Sequence, residues 1–202
     1  MASNTAYQTV KGNSVGRSVH DLSYTHKFNC DMGQLIPAMV KHMEPNDRFR
    51  IGNRIIVRFQ PLNAPILHEV NVFMHYFFVP YRLLWKKDQE ETDGWEVFYT
   101  GGDDGTLEPV LPRWTPSAAD NGQFTLWDYF GFPINTIPNG VLPVIFPRDA
   151  YNLIFDEYYR DENLQEKTDL TDAALAGSIR NRSWEKDYFT STLEFQQKGT
   201  PI

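Results

Sequence analysis

Cysteine is almost absent from this sequence: Cys30 stands alone among 202 residues. A single cysteine excludes an intrachain disulfide, and small secreted domains usually contain several, so the chain suits a reducing cytoplasm. No apolar run approaches the roughly 18 residues that a membrane-spanning helix requires. The opening Met-Ala-Ser-Asn-Thr has no basic segment followed by an apolar one, so we expect no secretory signal. These absences predict a soluble protein made and used in cytoplasm.

The motifs of common enzyme classes are also missing. There is no Gly-x-Gly-x-x-Gly, Walker A or Gly-x-Ser-x-Gly motif. The histidines are scattered, and His68 and His75, seven residues apart on or beside one strand, are expected on opposite faces, where they cannot share a metal. The turn at 101–105 carries Asp103 and Asp104 but lacks the further oxygen ligands of a calcium loop. We therefore expect no catalytic residues, no metal and no cofactor.

Basic residues are outnumbered, with 19 Lys and Arg against 26 Asp and Glu and a net charge of -7. A dedicated nucleic-acid-binding domain usually has the opposite balance, so any contact with DNA must come from local patches. Aromatic residues make up 14% of the chain, a richness found in cores and protein interfaces. Thirteen Pro and 13 Gly indicate many turns and long irregular connections.

Strict alternation marks residues 49–59, where the odd positions are mostly apolar and the even positions mostly basic. Period-two alternation predicts a β-strand with one buried face and one wet face. The wet side carries what we call the arginine face, namely Arg48, Arg50, Arg54 and Arg58. Arg50, Arg54 and Arg58 are our candidate site residues. Their expected partners are DNA phosphates or acidic groups on a neighbouring subunit, and an ordinary solvated face is the open alternative.

Two further strands are predicted, a short one at 24–30 and one at 69–79. The second is apolar on both sides, which indicates that both sides are covered. The predicted fold class is therefore mainly β, a sandwich or barrel with long loop and helical insertions. We divide the chain into a flexible arm (1–20), the first strands (21–80) and a long insertion with short helices (81–202).

Three helices are expected in the insertion. A short one lies within 81–99, and a second covers 125–130, where Thr125 can cap the first turn and Asp128 follows three residues later. The longest begins at Pro147, because proline suits a first helical turn and Asp149 favours the positive end of the helix dipole.

Two groups of residues could carry acid–base or thiol chemistry, but a structural role explains both. The acidic cluster at 156–162 begins with Asp156 and Glu157, whose side chains diverge on a helix, and Arg160 is placed to pair with Asp156. We interpret this cluster as a solvated or interfacial helix end. Cys30 has only His26 nearby, so we expect it to be a small buried apolar residue.

Several segments, in order along the chain, resemble the major capsid proteins of the Microviridae, particularly the gokushovirus branch. The resemblance runs from about residue 20 to residue 198 and lies in the segments 21–27, 31–37, 57–65, 70–85, 99–102, 148–151, 158–161 and 184–191.

This resemblance implies a viral jelly roll, an eight-stranded antiparallel sandwich with long loops. It also implies a T=1 icosahedral shell of about 60 copies around a circular single-stranded DNA genome, assembled in the cytoplasm of a bacterial host. The partners implied are copies of the chain itself, a scaffolding protein and a DNA pilot protein. Family chains are longer, and their late strands lie beyond residue 202, so we expect an incomplete sandwich here.

Two functions from other classes stay open at this point. A carbohydrate- or peptide-binding β-sandwich would use Trp and Tyr on loops and would behave as a stable monomer. A hydrolase would use the carboxylates of 156–162, and it predicts loss of activity on Asp156→Asn or Glu157→Gln.

Overall fold

The computed structural model describes residues 12, 16–65, 67, 69–86, 92–116, 120, 122–135, 142–162, 164–171, 176–183 and 188. Its helices are α1 (Tyr81–Leu84), α2 (Trp95–Thr100), α3 (Leu126–Tyr129) and α4 (Phe146–Ile154), and α4 continues into a π-helical turn at Phe155–Tyr159. None of the helices in these ranges is long and apolar enough to cross a bilayer. Most of the predicted arm, and His68, lie outside the described residues.

Helix α3 begins as its sequence predicts. The Thr125 side chain accepts a hydrogen bond from the Asp128 backbone N–H (3.4 Å), which satisfies one of the donors left free in the first turn. The Asp128 carboxylate in turn accepts from the Phe124 backbone N–H (3.0 Å). Helix α4 holds Pro147 and Asp149 in its first turn, so both of these helix predictions are confirmed. The short helix expected within 81–99 is present as two, α1 and α2.

Helix α2 ends at a glycine that no other residue could easily replace. Gly101 has φ +78, and a Cβ at this position would lie 2.7 Å from the backbone carbon of Gly105. The positive φ lets the Gly101 N–H bond the carbonyl of Val97 (2.7 Å), which closes the last turn. The chain then doubles back through 102–105, so the predicted turn is confirmed.

One cluster of the hydrophobic core lies in the second half of the chain. Trp114, Leu126 and Trp127 are almost fully buried, and the two indole rings meet edge to face with centroids 5.0 Å apart. The Trp127 indole N–H donates to the carbonyl of Pro133 (2.9 Å), so this buried polar group is satisfied. An antiparallel bridge between Arg113 and Val144 joins the segment carrying Trp114 to the start of α4.

A second aromatic group ties α1 and α2 to α4. Tyr81 stacks on Trp95 with centroids 4.9 Å apart and meets Phe146 edge to face at the same distance. Trp85, which is buried, lies against Phe146 and Phe98. Three short helices are thereby held together by ring contacts, since each is too short to be stable alone.

Residues 21–80 are organised differently. No strand is assigned in the described part of this segment, and only an isolated bridge, Gln34 to Asn181, ties it to the second half in a strand-like way. The jelly roll expected for this region stays a prediction. Residues 21–80 contact the part of the chain that contains the helices, residues 81–159, at a few points, which are described below.

Candidate functional site

An exposed apolar surface covers much of residues 49–79. On the predicted buried face of the 49–59 segment, the exposed fractions of four side chains range from 43% to 52%: Ile51, Ile55, Val57 and Phe59. Val72, Phe73 and Phe78 in the next segment are exposed to a similar or greater extent. The expected buried face is therefore open in this chain, because no described residue packs over it as a second sheet would.

A group of exposed apolar side chains of this kind is uncommon in monomers and marks a surface that another polypeptide covers.

The arginine face lies beside this apolar surface. Arg50, Arg54 and Arg58 are all exposed, and none forms an ion pair with another described residue. The structure therefore leaves these three candidate residues available for a partner, as either hypothesis for them requires. It does not bring them together with the acidic cluster at 156–162.

The 69–79 segment is anchored by two aromatic contacts with the π-helical turn that follows α4. His75 stacks on Tyr159 and hydrogen-bonds its hydroxyl, while Phe77 packs against Tyr158 with centroids 4.9 Å apart. These rings, with Met74 and Tyr76, line an open groove of about 430 Å³. Burial raises the pKa of Tyr159. His75 is thus a packing residue in this structure.

A three-way junction joins the early segment to the second half. The Leu35 N–H donates to the Arg180 carbonyl (2.9 Å), and the Arg182 N–H donates to the Gly33 carbonyl (2.9 Å). The Tyr151 hydroxyl donates to the Leu35 carbonyl (2.9 Å) and accepts from the Arg180 N–H (2.8 Å). One side chain on α4 therefore satisfies backbone groups from two distant segments.

The acidic cluster is largely a buried structural network. The Asp156 carboxylate accepts from the backbone N–H (3.1 Å) and the hydroxyl (3.0 Å) of Thr168, and it lies 3.9 Å from Arg160. The side chains of Arg160 and Asp156 are only 4% and 10% exposed. The interpretation of Asp156 as part of a solvated end is wrong, because the chain after α4 folds back and covers it. Glu157 is exposed and pairs with Lys167 (3.4 Å), so the two adjacent carboxylates do diverge.

A second buried pair stabilises the start of α4. The Arg148 guanidinium contacts the Asp149 carboxylate (2.8 Å), and both side chains are almost inaccessible. Burial raises the pKa of Asp149, and the neighbouring Arg148 opposes that effect. Asn152, which is fully buried, donates to the carbonyls of Arg148 (2.9 Å) and Ala176 (2.8 Å). These contacts position the 176–182 segment rather than form a cleft.

Cys30 corrects another expectation. Its thiol is exposed rather than buried, because the segment around it lies on the surface of the helical half. Partial desolvation and the neighbouring Asp31 carboxylate raise the pKa of this thiol. Among the described residues, no group of three or more His, Cys, Asp or Glu side chains is arranged to hold a metal ion.

The junction at Tyr151 is the part of the site that sequence reasoning missed. The sequence pattern gives no sign that the Tyr151 hydroxyl bonds residues 35 and 180. Pairings across such separations leave no local periodicity, so they become visible only in three dimensions.

Comparison with known proteins places this surface in context. Residues 8–202 match the sequence profile of the phage family described as capsid protein (F protein). The chain is 34% identical to capsid protein VP1 of Chlamydia phage 1 over 94% of its length and 35% of that protein. It is 27% identical to capsid protein VP1 of Bdellovibrio phage phiMH2K, over 92% of this chain and 34% of that protein. Capsid protein VP1 of Spiroplasma virus 4 is 26% identical, over 96% and 37%. The chain thus spans about a third of the length of these relatives.

Proposed function

The chain belongs to the phage capsid protein (F protein) family, and from that premise we propose that it forms part of a structural coat subunit that assembles in many copies into a virion shell. The resemblance to Microviridae capsid proteins is confirmed by the family match over 8–202 and by three capsid relatives. The ligand-binding β-sandwich and the hydrolase are not favoured.

The observation that carries this proposal is the exposed apolar surface of residues 49–79. A protein that worked as a monomer would leave this surface in water, where it promotes aggregation. A shell subunit instead buries such a surface against other polypeptide of the coat. Burial of apolar area then stabilises the assembly at about 25 cal/mol per Å² before association costs are counted.

For the architecture, we propose that the 49–59 and 69–79 segments are strands of a jelly-roll sandwich. The alternating pattern of the first and the two-sided apolar pattern of the second support this assignment. The partner strands of these two segments would come from parts of the coat protein outside these 202 residues. Pairing would satisfy the backbone groups of both segments and cover the apolar face that is open here.

The finer features of the particle rest on the resemblance to the family. They are a T=1 icosahedral shell of about 60 copies, a circular single-stranded DNA genome, and assembly in the bacterial cytoplasm with a scaffolding protein and a DNA pilot protein. The exposed arginine face is compatible with a phosphate partner.

The direct test places one charge in the apolar surface of the whole coat protein. Val72→Asp should lower the yield of particles seen by electron microscopy and sucrose-gradient sedimentation at least tenfold, because it would bury an unpaired carboxylate. Val19→Asp is the matched control, since Val19 is 97% exposed and lies outside the surface. Normal particle yield from Val72→Asp, or a stable monomer from the unmodified protein, would contradict the proposal.

A further inference from the structure

Two stretches of the chain carry opposite charges that do not mix. Residues 48–68 contain four arginines and no Asp or Glu. Residues 93–108 contain five carboxylates and no Lys, Arg or His. Segregation of this kind produces surfaces with local potentials of opposite sign even though the whole chain is only moderately acidic.

Each stretch has charged side chains that are exposed. Arg54 and Arg58 form no ion pair with any described residue, and the same is true of Glu96 and Asp103. All four side chains are exposed. Within the part of the chain that the structure describes, these four side chains are therefore not paired with one another.

Helix α2 presents aromatic rings within the acidic stretch. Trp95 stacks on Tyr81 on one side and on Tyr99 on the other, with centroids 4.9 Å and 6.2 Å apart. Tyr99 is 76% exposed and Phe98 is 42% exposed, so the ring series ends in solvent. We call Trp95, Phe98 and Tyr99, with Glu96 and Asp103, the acidic aromatic surface.

A guanidinium group is the chemical partner that this surface fits. Its planar charge can lie over an aromatic ring while its N–H groups donate to a carboxylate. The chain already uses the first contact elsewhere, because the Arg182 guanidinium lies 5.6 Å from the Phe73 ring centroid. Lysine would satisfy the charge but not the planar stacking.

The turn after α2 holds the acidic side in place. Asp104 accepts hydrogen bonds from the Thr106 backbone N–H (3.1 Å) and hydroxyl (2.7 Å), and the Leu107 N–H donates to the Gly101 carbonyl (2.9 Å). A fixed turn reduces the ordering cost of binding. Asp103, between these bonded residues, is presented to solvent.

We propose that the acidic aromatic surface of one copy of this chain binds the arginine face of a second copy. This inference rests on the proposed coat function, and it names one contact by which subunits meet. Because the two patches differ, the contact is heterologous, and its repetition gives a ring when the rotation between copies closes. Opposite potentials also steer the encounter of subunits and fix their register.

The test is a charge swap in the whole coat protein. Arg54→Glu with Arg58→Glu should lower particle yield at least tenfold, since like charges would face each other. Glu96→Arg with Asp103→Arg should do the same. The variant carrying all four substitutions should recover most of the yield, because the ion pairs are restored with their signs exchanged. Lys27→Glu with Glu166→Arg is the control, since both side chains are exposed and outside the two surfaces.

Several outcomes overturn the proposal. Normal yield from either double reversal does so, and so does failure of the fourfold variant to recover. Particles that form normally but lack DNA after the arginine reversal would show that the arginine face meets nucleic acid instead. If the unmodified protein forms no particles, the proposed function fails, and salt-sensitive multimers abolished by both reversals would still support the contact. If the unmodified protein formed neither particles nor such multimers, the proposed contact would be contradicted as well.

A second measurement tests the contact if the charge-reversal variants are insoluble. In a Cys30→Ser background, particles carrying Arg54→Cys and Glu96→Cys should yield a ladder of disulfide-linked multimers on oxidation. Either cysteine alone should not give a ladder, because the two positions meet only across copies. Monomer alone from the double-cysteine particles would contradict the contact.

Discussion

The Tyr151 hydroxyl donates a hydrogen bond to the Leu35 carbonyl, 116 positions earlier in the chain, across 2.9 Å. The same oxygen accepts from the Arg180 N–H at 2.8 Å. Helix α4 thereby holds the segment that leads into the predicted strands against the segment that follows the helix. This junction fixes residues 33–35 against residues 180–182.

Removing this hydroxyl should weaken the junction. Tyr151→Phe leaves a carbonyl and an N–H without their partner, so we expect a loss of about 1–3 kcal/mol in the free energy of unfolding. Urea unfolding of the 202-residue chain, followed by tryptophan fluorescence, measures this loss. Tyr99→Phe should change stability by less than about 0.5 kcal/mol, because Tyr99 is 76% exposed. Equal effects from the two variants would contradict the role of the junction.

The same residue predicts a dependence on alkaline pH. Burial raises the pKa of Tyr151 to about 12, above the ordinary value of about 10. The folded state therefore holds the proton more tightly than the unfolded state, and the stability gained is complete below pH ~10 and is lost as pH rises through ~12. The free-energy difference between the wild-type chain and Tyr151→Phe should shrink over this range. Urea unfolding of both proteins across this pH range measures the difference, and the contribution of the other tyrosines cancels because both proteins contain them. A difference in unfolding free energy that stayed constant with pH would contradict the raised pKa of Tyr151.

The core should respond to truncation at its centre. Leu126 is fully buried in a cluster with Trp114 and Trp127, so Leu126→Ala should cost about 2–5 kcal/mol of unfolding free energy. Leu62→Ala is the matched control, since Leu62 is 52% exposed and should cost less than about 0.5 kcal/mol in the isolated chain. Similar midpoints in urea for the two variants would show that the core is not where the structure places it.

Gly177 should not tolerate a side chain. A Cβ there would lie 2.0 Å from the Asp120 carboxylate oxygen, and Asp120 is itself buried. We expect Gly177→Ala to cost about 1–3 kcal/mol through overpacking. Gly52→Ala is the control, because a Cβ at Gly52 meets nothing within 4 Å. Thermal unfolding of the two variants separates them, and an unchanged midpoint for Gly177→Ala would count against the packing described here.

Local sequence signals predicted the helices well. The Thr125 cap and Pro147 act within one turn of their own positions, so a single sequence contains what is needed to place α3 and α4. Family identity was also accessible, because the shared segments follow one another in order along the chain.

Contacts between distant segments could not be predicted in the same way. Asp156 was interpreted as part of a solvated or interfacial helix end, yet Thr168 of the same chain folds back over it. Cys30 was expected to be buried, although the segment that carries it lies on the surface. For 49–59, the alternation predicts which face is apolar, but no local pattern shows what covers that face.

Hydrogen exchange across 49–59 and 69–79 tests the central claim most directly. The claim is that the apolar surface open in the isolated chain is covered in the coat. Amides in both segments should exchange rapidly in the isolated 202-residue chain and at least about a hundredfold more slowly in particles of the whole coat protein. Equally rapid exchange in the particles would contradict the account, because the surface would then have no partner in the assembly.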